Sequence, residues 1–335
     1  MSARLCVALV GVAVAAPAGA HHDTAVQQVG ASTGRDVDRL LDDVGPRIEA
    51  RVGFSWPSYG RLQQGSQRFD DAEPTVTVER YTLGIGARLA SRTHLDLALP
   101  TGRVHGATDG PFGLGDLLVS ASQGLGPARL GALLTAPTGR YTADSVSSVV
   151  EISPSETGDL DMITYDARAS LGAGAWRSGL TAGVRGGGER FAADLSTTYI
   201  HTVGQTPDDI HWGSDATAQA TVTTRALAER LTVGAGLLGQ LHTADRVAGE
   251  PRDGDEPFEL RTSRRRSLGL VGTIGARIAS GVACGARAQV PMTQWVQGIQ
   301  LAESFTVSGQ CTVARGLGVT KFGKPKSKKR SGSEG

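Results

Sequence analysis

An antiparallel transmembrane β-barrel of about 12 strands is the fold class that this sequence predicts. Three observations carry the prediction. The first 20 residues have the layout of a secretory signal. No later apolar stretch is long enough to cross a bilayer as a helix. From residue 46 onward, segment after segment alternates polar and apolar side chains with the two-residue period of a strand.

In chain order, Arg4 supplies a positive n-region, Leu5 to Ala16 an apolar run and Ala18-Gly19-Ala20 a small-residue cleavage site, so residues 1–20 read as a signal peptide. The run of about 12 residues is shorter than the roughly 20 that a spanning helix needs. Residues 21–44, with Asp36-Val37-Asp38-Arg39-Leu40-Leu41-Asp42-Asp43, read as a solvated periplasmic leader or a short helix, a plug being the alternative. Residues 45–318 are the barrel. Residues 319–335, with Lys321, Lys324, Lys326, Lys328, Lys329 and Arg330, form a basic tail of the composition that stays disordered.

Within the barrel, Ile48, Ala50, Val52, Phe54 and Trp56 fall on one face of a strand, and Arg47, Glu49, Arg51, Gly53 and Ser55 on the other. Such a strand does not belong in a dry core. The same sorting recurs near 75–89, 94–100, 116–124, 129–136, 161–175, 180–190, 211–225, 231–243, 262–278, 282–290 and 303–315. Short turns at Ser91-Arg92, Gly126-Pro127, Arg177-Ser178-Gly179, Glu229-Arg230 and Ser280-Gly281 alternate with long polar loops near 57–74, 101–115, 137–160, 191–210, 244–261 and 291–302. A soluble sandwich or lipocalin-like barrel also alternates. One-sided lengthening of the loops and an apolar face of Leu, Ile, Val and Ala favour lipid instead. An even strand number puts both termini with the short turns, in the periplasm of a Gram-negative outer membrane.

Parity then assigns a lumen-facing set: Arg47, Arg51, Arg80, Arg88, Arg168, Arg185, Arg277 and Arg287, with Glu49, Asp96, Asp116, Asp166, Glu189 and Asp215. Mixed signs either brace a barrel interior or line a polar path. The 46 glycines in 335 residues are scattered through these segments, where they keep a narrow lumen from overfilling. The net charge of +1 implies no nucleic-acid partner. Cys6 goes with the signal, leaving Cys284 and Cys311 on neighbouring strands with the same outward parity. A cross-strand disulfide and two free thiols against lipid both fit.

Gly113-Leu114-Gly115-Asp116-Leu117-Leu118-Val119, followed by Leu133-Leu134-Thr135-Ala136-Pro137-Thr138-Gly139-Arg140 and preceded by Leu97-Ala98-Leu99-Pro100-Thr101-Gly102-Arg103, resembles the outer-membrane transporter family associated with the MetA pathway of phenol degradation. The likeness extends over 75–315 by strand layout. It implies a small barrel that helps aromatic or other hydrophobic compounds cross the outer membrane. By itself, Pro-Thr-Gly ends strand pairing and opens a loop, because proline lacks a donor and glycine tolerates positive φ. Outer-membrane barrels of this kind usually finish on an aromatic residue that the assembly machinery reads, whereas this chain continues past Phe322 into the basic tail.

The function that follows is passive passage of a small solute. Outer-membrane lipid and the barrel assembly machinery are the other partners, no cofactor is implied, and the oligomeric state is not legible. Dispersed His94, His105, His201, His211 and His242 suggest neither catalysis nor a metal site. Two other readings remain: a lipid-modifying hydrolase, which requires a Ser–His pair within about 3.2 Å on the barrel's outer surface or rim, and a surface scaffold binding a partner through its long loops.

Overall fold

Alternation says that a strand has two unlike faces; pairing decides which sheet it joins. The computed structural model describes Val37, Leu40, Leu41 and residues 45–317, except 70–75, 90–91, 106–111, 140–146, 155–159, 168–170, 189, 208–209, 227–229, 248–257 and 261–263. The signal peptide and basic tail lie outside the described residues. Ten strands follow one another: β1 Arg47–Gly65, β2 Val76–Leu89, β3 Thr93–His105, β4 Leu117–Leu125, β5 Ala128–Ala136, β6 Trp176–Gly187, β7 Phe191–Val203, β8 Asp215–Ala226, β9 Leu231–His242 and β10 Arg265–Ala279. Each is antiparallel to the next.

One further extended run, β11 Val282–Gly316, doubles back to supply the last two crossings. Its first limb pairs with β10 and its second with β1, from Arg47↔Gly316 to Gly65↔Val296. The sheet therefore closes into an antiparallel barrel of twelve crossings. Closure leaves no unpaired edge, which is what a bilayer requires of a sheet.

The outward face is aliphatic and bare. Val52, Ile85, Leu180 and Ile278 are 58, 59, 65 and 65% exposed. Covering such side chains with lipid removes a cost of roughly 25 cal/mol per Å² of apolar surface. Trp176, Tyr199 and Trp295 sit near the long-loop end, with the Arg266 guanidinium 4.8 Å from the Trp295 ring centroid. Amphipathic rings at one level mark a lipid–water boundary. Cys284 and Cys311, on facing limbs of β11, are joined as a disulfide on this outward face, with Cα atoms 4.0 Å apart.

The expected loops 57–74, 101–115 and 291–302 are partly strand, since β1, β3 and β11 run on into them, and Pro100-Thr101-Gly102 stays paired with β2 instead of opening a loop. Around 160–203 the threading itself differs from the sequence expectation. Leu160–Ala167 is not a barrel crossing; it pairs with Ser147–Pro154 in a separate hairpin between β5 and β6. The sixth crossing is β6, so the expected turn at Arg177-Ser178-Gly179 lies inside a strand and the chain reverses after Gly187. The expected loop 191–210 holds β7. The physical reason is that Gly and Ser serve close packing as well as turns. A Cβ at Gly179 would lie 2.4 Å from the Tyr199 carbonyl oxygen. A second small sheet, Ile210–His211 with Asp245–Val247 and Phe258–Leu260, forms a flap at the long-loop end.

The leader is not wholly solvated. Val37 and Leu40 are helical, and Val37, Leu40 and Leu41 are at most 1% exposed, packed on the inward-facing Ala283. Spacings of three and four residues put all three on one face of a helical turn. That apolar face has gone into the barrel's short-turn end.

Candidate functional site: the barrel lumen

At the short-turn end, Arg47 of β1 stands directly opposite Arg88 of β2. Like charges in that position repel. Glu49, on the same face of β1, answers them: its carboxylate is 2.5 Å from Arg47 Nε and 4.0 Å from Arg88 Nε, and it also pairs with Arg51. Arg51 reaches on to Asp96 of β3 at 2.5 Å. Arg47 also donates to the Leu41 carbonyl oxygen at 2.7 Å, so the brace holds the leader. Next to it, Arg129 Nη2 lies 3.2 Å from His94 Nε2. Arg185, Arg225 and Arg277 extend the inward arginines around this end, Arg185 beside its cross-strand neighbour Asp194.

Higher in the barrel, Arg287 donates to Gln289, Gln289 donates to Glu303, and the Thr306 hydroxyl donates to Glu303 at 2.6 Å. Arg80 is buried on the inward face of β2. Glu303 escapes simple parity because the β1–β11 pairing slips between Ser58 and Tyr59, which moves it to the inside.

At the long-loop end, Asp116 explains the paired Gly-Asp and Pro-Thr-Gly motifs. Its carboxylate accepts the Gly139 N–H at 2.9 Å and the Ala173 N–H at 2.6 Å, while Thr138 Oγ1 accepts the Leu117 N–H. Gly139 cannot bear a side chain there, since a Cβ would lie 2.6 Å from the Gly115 carbonyl carbon. The two ends of the connection between β5 and β6 are thus tied together, and Ala173 and Ala175 pack on Trp212, whose Nε1 donates to the Ala173 carbonyl oxygen. Beneath it, Arg177 pairs with Asp215, and His242 sits between Asp215 at 2.9 Å and Asp245 at 2.8 Å. Asp245 also accepts the Gly213 N–H, which fastens the flap to the rim.

Remaining space lies to one side. Inward residues of the β11 second limb, Ser308, Gln310 and Thr312, are buried, as are Arg47 and Glu49 of β1. Across the barrel Ser120, Ser122, Thr181, Ser196, Thr198 and Gln219 are half-exposed, although they too face inward. The inward hydroxyls and amides midway along β4–β8 are therefore less tightly packed than those of β9–β11 and β1, between buried Ala192 and Thr223 at one end and buried Arg177, Thr202 and Asp215 at the other.

Of the expected charged set, Arg47, Glu49, Arg51, Arg80, Arg88, Asp96, Asp116, Arg185, Asp215, Arg277 and Arg287 stand on inward faces. Asp166 belongs to the separate hairpin and not to the barrel wall. Arg168 and Glu189 lie outside the described residues. Arg129 and Arg225 were accessible to the same parity rule, next to outward Leu130 and Thr224; Arg177 and Asp194 were hidden by the misplaced turn and loop.

His201 Nδ1 lies 3.0 Å from Ser214 Oγ at the exposed rim, inside the distance that a hydrolytic pair needs. Ser214 Oγ also accepts the Tyr199 hydroxyl at 3.1 Å, and no described carboxylate meets His201. The His211 ring stands edge-on to it at 5.8 Å. Among the described residues, no group of three His, Cys, Asp or Glu is placed to hold a metal ion.

No protein-family model and no curated protein sequence matches the chain. Among solved structures, it is similar to the COG4313 outer membrane channel from Pseudomonas putida F1, with a TM-score of 0.61 and 18% identity over 81% of this chain and 96% of that one. The NanC porin (TM-score 0.43, 9% identity, 79% and 98% covered) and the CymD monoaromatic hydrocarbon channel (0.43, 9%, 88% and 97%) are more distant. The likeness to the Pseudomonas channel shows a shared barrel fold.

Proposed function

We propose that the chain is a passive outer-membrane channel for a small solute, with its short turns and both termini in the periplasm and the leader closing the periplasmic end. The observation that carries this reading is the half-exposed hydroxyl-lined strip of β4–β8 inside a closed barrel whose outside is aliphatic. No residue set that would consume an energy source is needed. The motifs around Asp116 and Gly139, similar to those of the phenol-degradation-associated family, favour an aromatic or hydrophobic solute. The fold shared with the Pseudomonas channel agrees with a conducting barrel.

Swelling of liposomes bearing the folded protein tests it. Wild type is expected to admit small uncharged solutes slowly, and Leu40→Glu/Leu41→Glu, which charges the buried face of the leader, is expected to admit them faster. Equal, background-level swelling from both folded proteins would overturn the reading.

The His201–Ser214 contact favours a second reading, hydrolysis of a lipid ester at the rim. It requires an esterase activity that Ser214→Ala abolishes while solute flux is unchanged. Among the described residues no carboxylate orients His201, and a hydrolytic pair of this kind needs one.

A further inference from the structure

We infer that the lumen passes small organic anions in preference to neutral or cationic molecules of the same shape; this rests on the channel reading above and names its solute class. The ground is the unequal charge of the wall. Among the described residues, the carboxylates turned to the interior are Glu49, Asp96, Asp116, Asp194, Asp215, Asp245 and Glu303. Inward arginines occur on β1, β2, β5, β6, β8, β10 and β11, some strands carrying two, and they outnumber those carboxylates.

The carboxylates are also committed. Glu49 serves Arg47, Arg51 and Arg88, and Asp96 also serves Arg51. Asp116 is taken up by two backbone N–H groups, and Asp215 by Arg177 and His242. Among the described residues of the half-exposed strip, the fixed charges include Arg129 and Arg185 near the short-turn end, with Arg225 beside them and Asp194 opposite Arg185. Asp36, Asp38, Asp42, Asp43 and Arg39 of the leader lie outside the described residues.

A fixed positive excess within a low-dielectric wall raises the local concentration of anions and lowers that of cations. Guanidinium groups add geometry to charge, because their planar donors match a carboxylate or sulfonate. Hydroxyls of Ser120, Ser196 and Thr198 along the same strip supply weaker donors between arginines. An aromatic body with one anionic group fits this combination better than an uncharged hydrocarbon, for which arginine and hydroxyl rows offer no partner.

The test is the reversal potential of the full-length mature protein in a planar bilayer under a tenfold KCl gradient. The expected sign is anionic, with chloride several-fold more permeant than potassium, and Arg185→Glu/Arg225→Glu should reduce or invert that ratio while the barrel stays folded by heat-modified gel mobility. In proteoliposomes, benzenesulfonate should enter faster than benzyltrimethylammonium. A conducting barrel with no preference, or with a cation preference, overturns this inference and leaves the channel reading standing. A folded barrel that conducts nothing overturns the channel reading and takes the inference with it.

Discussion

At the scale of single residues, Asp116 and Glu49 do unlike work with the same group. Asp116 receives two backbone N–H groups, so it shapes a connection while keeping its charge. Replacing it by Ala strands those donors and should cost about 2–3 kcal/mol, the scale of lost hydrogen bonds to a charged partner. Urea unfolding in detergent reads the loss, with Asp116→Asn intermediate because its amide oxygen still accepts. Glu49 sits among three arginines, and removing one partner of a buried charge set is strongly destabilising, on the order of 3–5 kcal/mol. Glu49→Gln should therefore lower the denaturation midpoint more than Asp116→Asn does; equal shifts would contradict the assignment. Parity made both residues legible as inward. It did not separate their roles, because a face tells where a side chain points and not whether a backbone N–H waits there.

At the scale of elements, strand alternation located most crossings well, since outward Leu, Ile and Val and inward Arg leave an unambiguous pattern in β1, β2, β8 and β10. It failed around 160–203. There, Leu160–Ala167 alternates as well as any barrel strand while belonging to a loop hairpin, and the Arg177-Ser178-Gly179 cluster imitates a turn. Local pattern reports a strand's two faces but carries no information about its partner. The buried leader was also legible only in part: Val37, Leu40 and Leu41 have helical spacing, yet neighbouring aspartates made the segment read as solvated. The two limbs of β11 give an element-scale prediction. Their disulfide closes a loop of 27 residues by sequence separation. Loop-closure entropy assigns such a link about 3–4 kcal/mol. Reduction, or Cys284→Ala/Cys311→Ala, should lower thermal stability while solute flux stays unchanged, because both sulfurs lie outside the path. A change in flux without a change in stability would contradict their outward placement.

For the whole molecule, the arrangement is a closed barrel filled on the side of β9, β10, β11 and β1 and more loosely packed midway along β4–β8, with Val37, Leu40 and Leu41 of the leader at one end and the tied residues 138–139 and 171–175 at the other. Neither the filling nor the position of the path is written in composition or period, since both depend on which inward faces meet across the interior. Single-channel recording with cysteines placed one at a time tests that central claim most directly. Ser196→Cys and Gln219→Cys should lose conductance when a membrane-impermeant thiol reagent is added, whereas the lipid-facing Val222→Cys and the buried Ser308→Cys should not. Block at Val222 or Ser308 with none at Ser196 or Gln219, or no conductance from the folded barrel at all, would contradict the account.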